Sequence, residues 1–310
     1  MKRLLITTAS ALFLIHGSQA FAQANQPRIE AILVPNQGNP VRVWINEVGN
    51  DGFRYYNTPQ TAMLSGFAFR DVRSIFFSDP PRFIQAMQQF RGRDYMAAME
   101  NFAKVAEEFH PVRTIKNNPA SRAKFFEIEC LRLLGEYQKM SEKMASLNKS
   151  TLARENELRQ LELNLMWEAV GSQAWDRLES LVREHANTRM PGNQRAQIAY
   201  CTGLVHENKG EMAEAIVAYN EAIVVDGGAS EVVARMAALA ILNILDADPQ
   251  VQTTRQAWGT DDLQPNTPGY TKLMEAGAMA RLFEAFLGAG VALPDKFRPY
   301  LEYKAPDPES

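Results

Sequence analysis

Between Gly203 and Ala222 the chain reads Gly203-x11-Ala215-x3-Tyr219-x2-Ala222, and that spacing leaves few folds open. Tyr219 and Ala222 follow Ala215 by one and two helical turns, so the three residues share one buried face of a helix. Gly203 lies on the helix before it, and Asn208-Lys209-Gly210-Glu211 supplies the glycine that ends that first helix. Two antiparallel helices approach closely only where both present small side chains, so Gly203 is expected to face Ala215. Such a hairpin exposes an apolar face that it cannot bury alone. Neighbouring hairpins must cover it.

Half of the pattern recurs as Asp94-Tyr95-x2-Ala98-x3-Phe102, closed by His110-Pro111. Helical periodicity begins after Pro81 and predicts further pairs. The first joins Arg82–Arg91 to Asp94–Phe109. The second joins Ala120–Leu134 to Tyr137–Leu147, turning at Gly135-Glu136, with Met140 and Met144 in the alanine and aromatic positions. The third joins Leu152–Val170 to Ala174–His185, turning at Gly171-Ser172, and the fourth spans residues 194–224. Ser230–Leu245 reads as the first helix of a fifth. The residues Tyr95, Ala98, Phe102, Gly203, Ala215, Tyr219 and Ala222 resemble the defining positions of the tetratricopeptide repeat. That resemblance implies a mainly α chain, a solenoid of helical hairpins, whose work is binding a protein or peptide partner. Self-association is a further way for such a stack to be used.

Residues 28–79 follow another period. Arg28–Val34 and Val41–Asn46 read as strands around the turn Asn36–Pro40; Phe53–Tyr56 and Asp71–Phe77 read as two more. A small β-barrel or rolled sheet is expected, similar to the SH3-like or Sm-like barrels that precede helical repeats in some bacterial envelope proteins. Pro80-Pro81 marks the expected boundary with the repeats, which run to residue 303. Ala247 to Gly269, with Asp248-Pro249, Gln264-Pro265 and Thr267-Pro268-Gly269, reads as a long loop. Tyr270–Leu287 and Pro294–Tyr303 read as closing helices, and 304–310 as a solvated tail.

The N-terminus carries Lys2-Arg3, an apolar run from Leu4 to Ile15, and Ala20-Phe21-Ala22, the pattern of a cleaved leader over residues 1–22. A periplasmic or secreted protein of a Gram-negative-like bacterium is therefore expected. The run is shorter than the roughly 20 residues of a membrane span, and no later segment is apolar enough for one. Losing Lys2 and Arg3 takes the formal charge from −3 to −5. A mildly acidic chain with no basic run is a poor match for nucleic acid or anionic lipid. Cys130 and Cys201 make no ligand pattern and are expected as buried free thiols.

The pattern of residues argues against catalysis, and no cofactor or metal is expected. His206-Glu207 lacks the second histidine of a zinc-protease helix, because residue 210 is glycine. Ser121-x2-Lys124 and Ser146-x2-Lys149 lack the companion motifs of penicillin-recognising enzymes. An envelope enzyme acting on peptidoglycan or peptides is the competing reading.

In the tetratricopeptide family the first helices line a concave groove. Carrying its register over places Tyr200, Leu204, Glu207 and Asn208 there, and Arg122, Phe125, Glu129 and Arg132 in the second pair. Tyr200 and Leu204 stand where a carboxylate clamp needs polar groups, so the resemblance implies an amphipathic or extended segment as partner. Trp258, an apolar anchor in a polar stretch, is a second candidate contact.

Overall fold

The computed structural model describes residues 28–226, 232–288 and 290–304. The expected leader (1–22), the tail from 305 and the start of the fifth pair at 230–231 lie outside them. The fold is mainly helical with a small antiparallel sheet, and the chain divides into two compact units. The first comprises residues up to 127 together with 147–153; the second comprises 128–146 and 154 onward.

In the first unit, five strands form the sheet: β1 (Ile29–Pro35), β2 (Val41–Val48), β3 (Gly52–Tyr56), β4 (Ser65–Ala68) and β5 (Val72–Phe76). Their order is β4-β3-β2-β1-β5, every pair antiparallel, so β4 and β5 are its edges. Alternation selects the buried face. Ile29, Ala31 and Leu33 of β1 point inward with Val43 and Ile45 of β2, and Ile29 stands opposite Ile45. Strand β4 has no apolar alternation of its own and sequence periodicity misses it; Phe67 earns its place by stacking on Phe53 at 6.3 Å.

Helices α1 (Pro81–Arg91) and α2 (Tyr95–Glu108) follow. Asp94 caps α2 by accepting from the Ala97 N–H at 3.2 Å. Phe83, Phe102 and Phe126 form an aromatic cluster with centroids 5.3–5.9 Å apart. The chain after α2 then returns to the sheet. Val112 and Ile115 are buried in the same core as Leu33, Val43 and Phe53. The expected division at Pro80-Pro81 is thus displaced, because the sheet's inner face is completed by residues that follow the first hairpin.

Helix α3 (Pro119–Leu133) carries the division between the units. The second unit continues with α4 (Tyr137–Ala145), α5 (Glu155–Gly171), α6 (Trp175–His185), α7 (Gly192–Asn208), α8 (Met212–Asp226), α9 (Val232–Ala247), α10 (Pro249–Ala257) and α11 (Pro268–Leu282). A π-helical turn (Phe283–Leu287) and a 3-10 segment (Asp295–Glu302) close it. Helix α5 touches α6 and α7, and α7 touches α8 and α9, so alternate helices contact as well as consecutive ones.

Four hairpins, α1–α2, α3–α4, α5–α6 and α7–α8, turn in the same way. Arg93, Gly135, Gln173 and Gly210, roughly forty residues apart, each adopt a positive φ of 55–79°. At each turn that residue's N–H reaches the carbonyl three residues back, and the next N–H the carbonyl five residues before itself. This is the Schellman arrangement, which satisfies the last carbonyls of a helix.

The stretch from 247 to 269, expected as a loop, contains helix α10. Asp248-Pro249 and Thr267-Pro268 are helix starts rather than turns. Asp248 accepts from the Gln250 N–H at 2.8 Å and Thr267 from the Tyr270 N–H at 3.3 Å, with proline at the first helical position.

Candidate functional site

The first helices of three hairpins, α3, α5 and α7, place polar side chains where apolar ones would ordinarily pack. In the second unit these are Glu129 and Arg132 from α3, Gln160 and Asn164 from α5, and Gln197 from α7, all buried. Arg132 donates to Glu129 Oε2 through Nε at 3.1 Å and Nη2 at 2.8 Å. Asn164 Nδ2 donates to the other oxygen of Glu129 at 2.9 Å. Gln160 Nε2 donates to Asn164 Oδ1 and to Gln197 Oε1, each at 2.9 Å, and Gln197 Nε2 donates back to Gln160 Oε1 at 3.1 Å. The Trp167 indole N–H completes the chain, donating to Gln197 Oε1 at 2.8 Å. A buried charge is tolerable only when paired and hydrogen-bonded, and Glu129 has both forms of support.

Beside this network runs a ladder of rings. Tyr137 stacks on Trp167 at 5.5 Å, Trp167 on Tyr200 at 5.7 Å, and Tyr200 meets Tyr219 at 5.5 Å. Arg132 lies 5.9 Å from the Trp167 centroid, within reach of a cation–π contact. The ladder ends where the Tyr219 hydroxyl donates to Glu207 at 2.6 Å. Burial pushes the Tyr137 phenol up to about 12. It also raises Tyr200, and at Tyr219 burial is joined by the hydrogen bond to Glu207. The Cys201 thiol is likewise pushed up to about 12 by burial, which keeps it protonated and a poor nucleophile. Cys130 and Cys201 are both buried and are not joined in a disulfide.

The residues projected onto a groove are dispersed among different roles. Glu129, Arg132 and Tyr200 come together, joined through Asn164, Gln160, Gln197 and Trp167, but as buried structure. Arg122 and Phe125 belong to the first unit and are 7% and 5% exposed. The Arg122 guanidinium pairs with Asp79 and lies 4.6 Å from the Phe83 centroid. Leu204 is half-buried against the Leu163–Cys201 core cluster, Glu207 is held by Tyr219, and Asn208 is exposed at the end of α7. Trp258 folds back, stacking on Tyr270 at 6.2 Å and meeting Tyr303 edge-on at 5.1 Å. Gly203 packs against the ring of Tyr219; a Cβ there would lie 2.3 Å from Cε1, so the ring, rather than Ala215, is its nearest neighbour.

Gln160, Asn164 and Gln197 were not singled out from sequence. The i, i+4 pair Gln160 and Asn164 on an apolar helix was the available signal. Among the described residues, no group of three His, Cys, Asp or Glu side chains is placed to hold a metal ion. No described helix is long and apolar enough to cross a membrane. No family model matches the chain, and no similar curated protein or solved structure is found.

Proposed function

We propose that this chain is an exported, non-catalytic scaffold of the cell envelope, built as a tetratricopeptide-like solenoid that binds a protein or peptide partner. The observation that carries the reading is the identical Schellman closure of four hairpins at roughly forty-residue intervals. That register aligns Ala98, Met140, Leu178 and Ala215, each of whose N–H groups bonds the carbonyl four residues earlier. Phe102, Met144, Val182 and Tyr219 align one turn later, all buried. Degenerate residues in repeated geometry are what a stack of related hairpins tolerates. Contact between alternate helices α5, α7 and α9 supports stacking. The buried polar network then serves as a specificity device, because side chains that must meet their partners hold neighbouring hairpins in one register.

The test is export of the full chain in a Gram-negative host, N-terminal sequencing of the product, and cross-linking in intact cells. A product beginning near Gln23, joined in fixed stoichiometry to one envelope protein, is expected. Exchange protection of that complex should fall on the helical unit. Retention of Met1 defeats the export reading, and turnover of cell-wall material by the purified chain defeats the scaffold reading.

A further inference from the structure

Strand β5 has one paired side and one open side. It pairs with β1, and among the described residues no second strand pairs with it; on the open side the Val72 N–H is held by the Phe69 carbonyl of the preceding turn. All five of its residues line an open pocket of about 750 Å³, together with the β2–β3 turn, Phe69 and most of the segment 111–117. Three cations, Arg73, Arg113 and Lys116, line this pocket and no carboxylate does. Arg73 and Lys116 are exposed and make no ion pair among the described residues; Arg113 bonds His110 through its ring and carbonyl, both at 3.2 Å. The apolar part includes Ile75, Phe69 and Phe76, the last 51% exposed. In the same lining the Asn117 amide oxygen is buried with no hydrogen-bond partner.

We propose that this pocket takes an extended acidic peptide, added as a strand along the open side of β5. This inference stands apart from the repeat reading, because every residue it uses belongs to the first unit. An edge strand is a template for main-chain pairing, which supplies the affinity in strand addition while side-chain pockets supply the selection. Successive side chains of an added strand alternate between faces. A segment alternating acidic and apolar residues therefore matches a lining that is part cationic and part apolar. A nucleic-acid strand could meet the cations but brings no alternating main-chain N–H and C=O groups to the open edge. A second copy of the chain would bring another Arg73 to a lining that already holds three cations and no carboxylate, so its charge is not complementary.

The experiment titrates the full chain, by fluorescence anisotropy, with three labelled probes: a short peptide alternating glutamate and valine, its lysine–valine counterpart, and oligodeoxythymidylate. The glutamate peptide should bind and the other two should not. Its affinity should fall with added salt, since exposed charges are screened beyond about 10 Å at 0.1 M. The double variant Arg73→Glu/Lys116→Glu should weaken it about tenfold or more with helicity unchanged. Amide exchange should show new protection within Val72–Phe76 on binding. Equal binding of the lysine peptide, preference for the oligonucleotide, indifference to the double variant, or β5 amides unprotected in the complex would each overturn the proposal. Dimerisation of the free chain through β5 would also overturn it.

Discussion

Gly203 has no side chain because the ring of Tyr219 fills that space, with ring carbons 2.3–2.8 Å from where a Cβ would sit. Gly203→Leu should therefore cost about 1–3 kcal/mol by overpacking, read as a lower denaturant midpoint at unchanged m-value. An unshifted midpoint would mean the ring swings away freely. Arg132 gives a second residue-scale expectation. Arg132→Met leaves Glu129 charged and buried with the Asn164 amide still donating to it, at a cost of about 3–5 kcal/mol. Arg132→Met combined with Glu129→Gln should recover much of that loss, a coupling that a double-mutant cycle reads directly. The ring ladder makes stability fall in alkali. Tyr137 and Cys201 titrate from 10.0 and 9.0 in the unfolded chain but only near 12 when folded, and Tyr200 and Tyr219 are raised in the same direction. The native state then holds more protons than the unfolded one, so the stabilisation is complete below about pH 9 and is lost as pH rises above it. Chemical denaturation across that range should show a declining midpoint. Flat stability up to pH 11, on the order of one unit above the free phenol, would contradict the burial of these rings.

At the scale of elements, the shared turn geometry explains which residues matter between helices. Glycine occupies the left-handed position at Gly135 and Gly210, whereas Arg93 and Gln173 occupy it with a side chain. The left-handed region costs an L-residue roughly 1 kcal/mol that glycine avoids. Gln173→Gly should accordingly stabilise the chain by up to about 1 kcal/mol, less what glycine adds to the unfolded chain's freedom. Gly210→Ala should destabilise it by a similar amount, and thermal melts of the two variants should move in opposite directions. The helices themselves were legible from their period, and the starts and ends of most pairs fall within a few residues of expectation. The misreadings have a common cause. Proline reads as punctuation at Asp248-Pro249 and Thr267-Pro268, yet behind a capping side chain it begins a helix, because the first turn needs no N–H from that residue. Strand β4 was invisible because its reason to exist is Phe53, a residue on another strand.

For the whole molecule, the position of the division between units is the main consequence. A fragment beginning at Pro81 would strip the sheet from Val112 and Ile115, which are 0% and 5% exposed in the intact chain. It should bind a hydrophobic dye and lose stability in the 109–117 region, where amide exchange should become fast. A fragment as well protected there as the full chain would restore the boundary to Pro80-Pro81. The amino-acid sequence by itself determined the mainly helical class, the presence of a strand-rich N-terminal region, the positions of the hairpins and the small-residue signature of the fourth, because each follows from local period and turn chemistry. It also determined that Arg122, Glu129, Arg132 and Tyr200 lie on first helices of hairpins. Whether those side chains face solvent or one another was decided by tertiary structure alone. A polar residue on a helix looks the same in sequence whether it meets water or a glutamine 37 positions away, as Gln160 meets Gln197. The open side of β5 was hidden for the same reason, since an edge is defined by the strand that is not beside it.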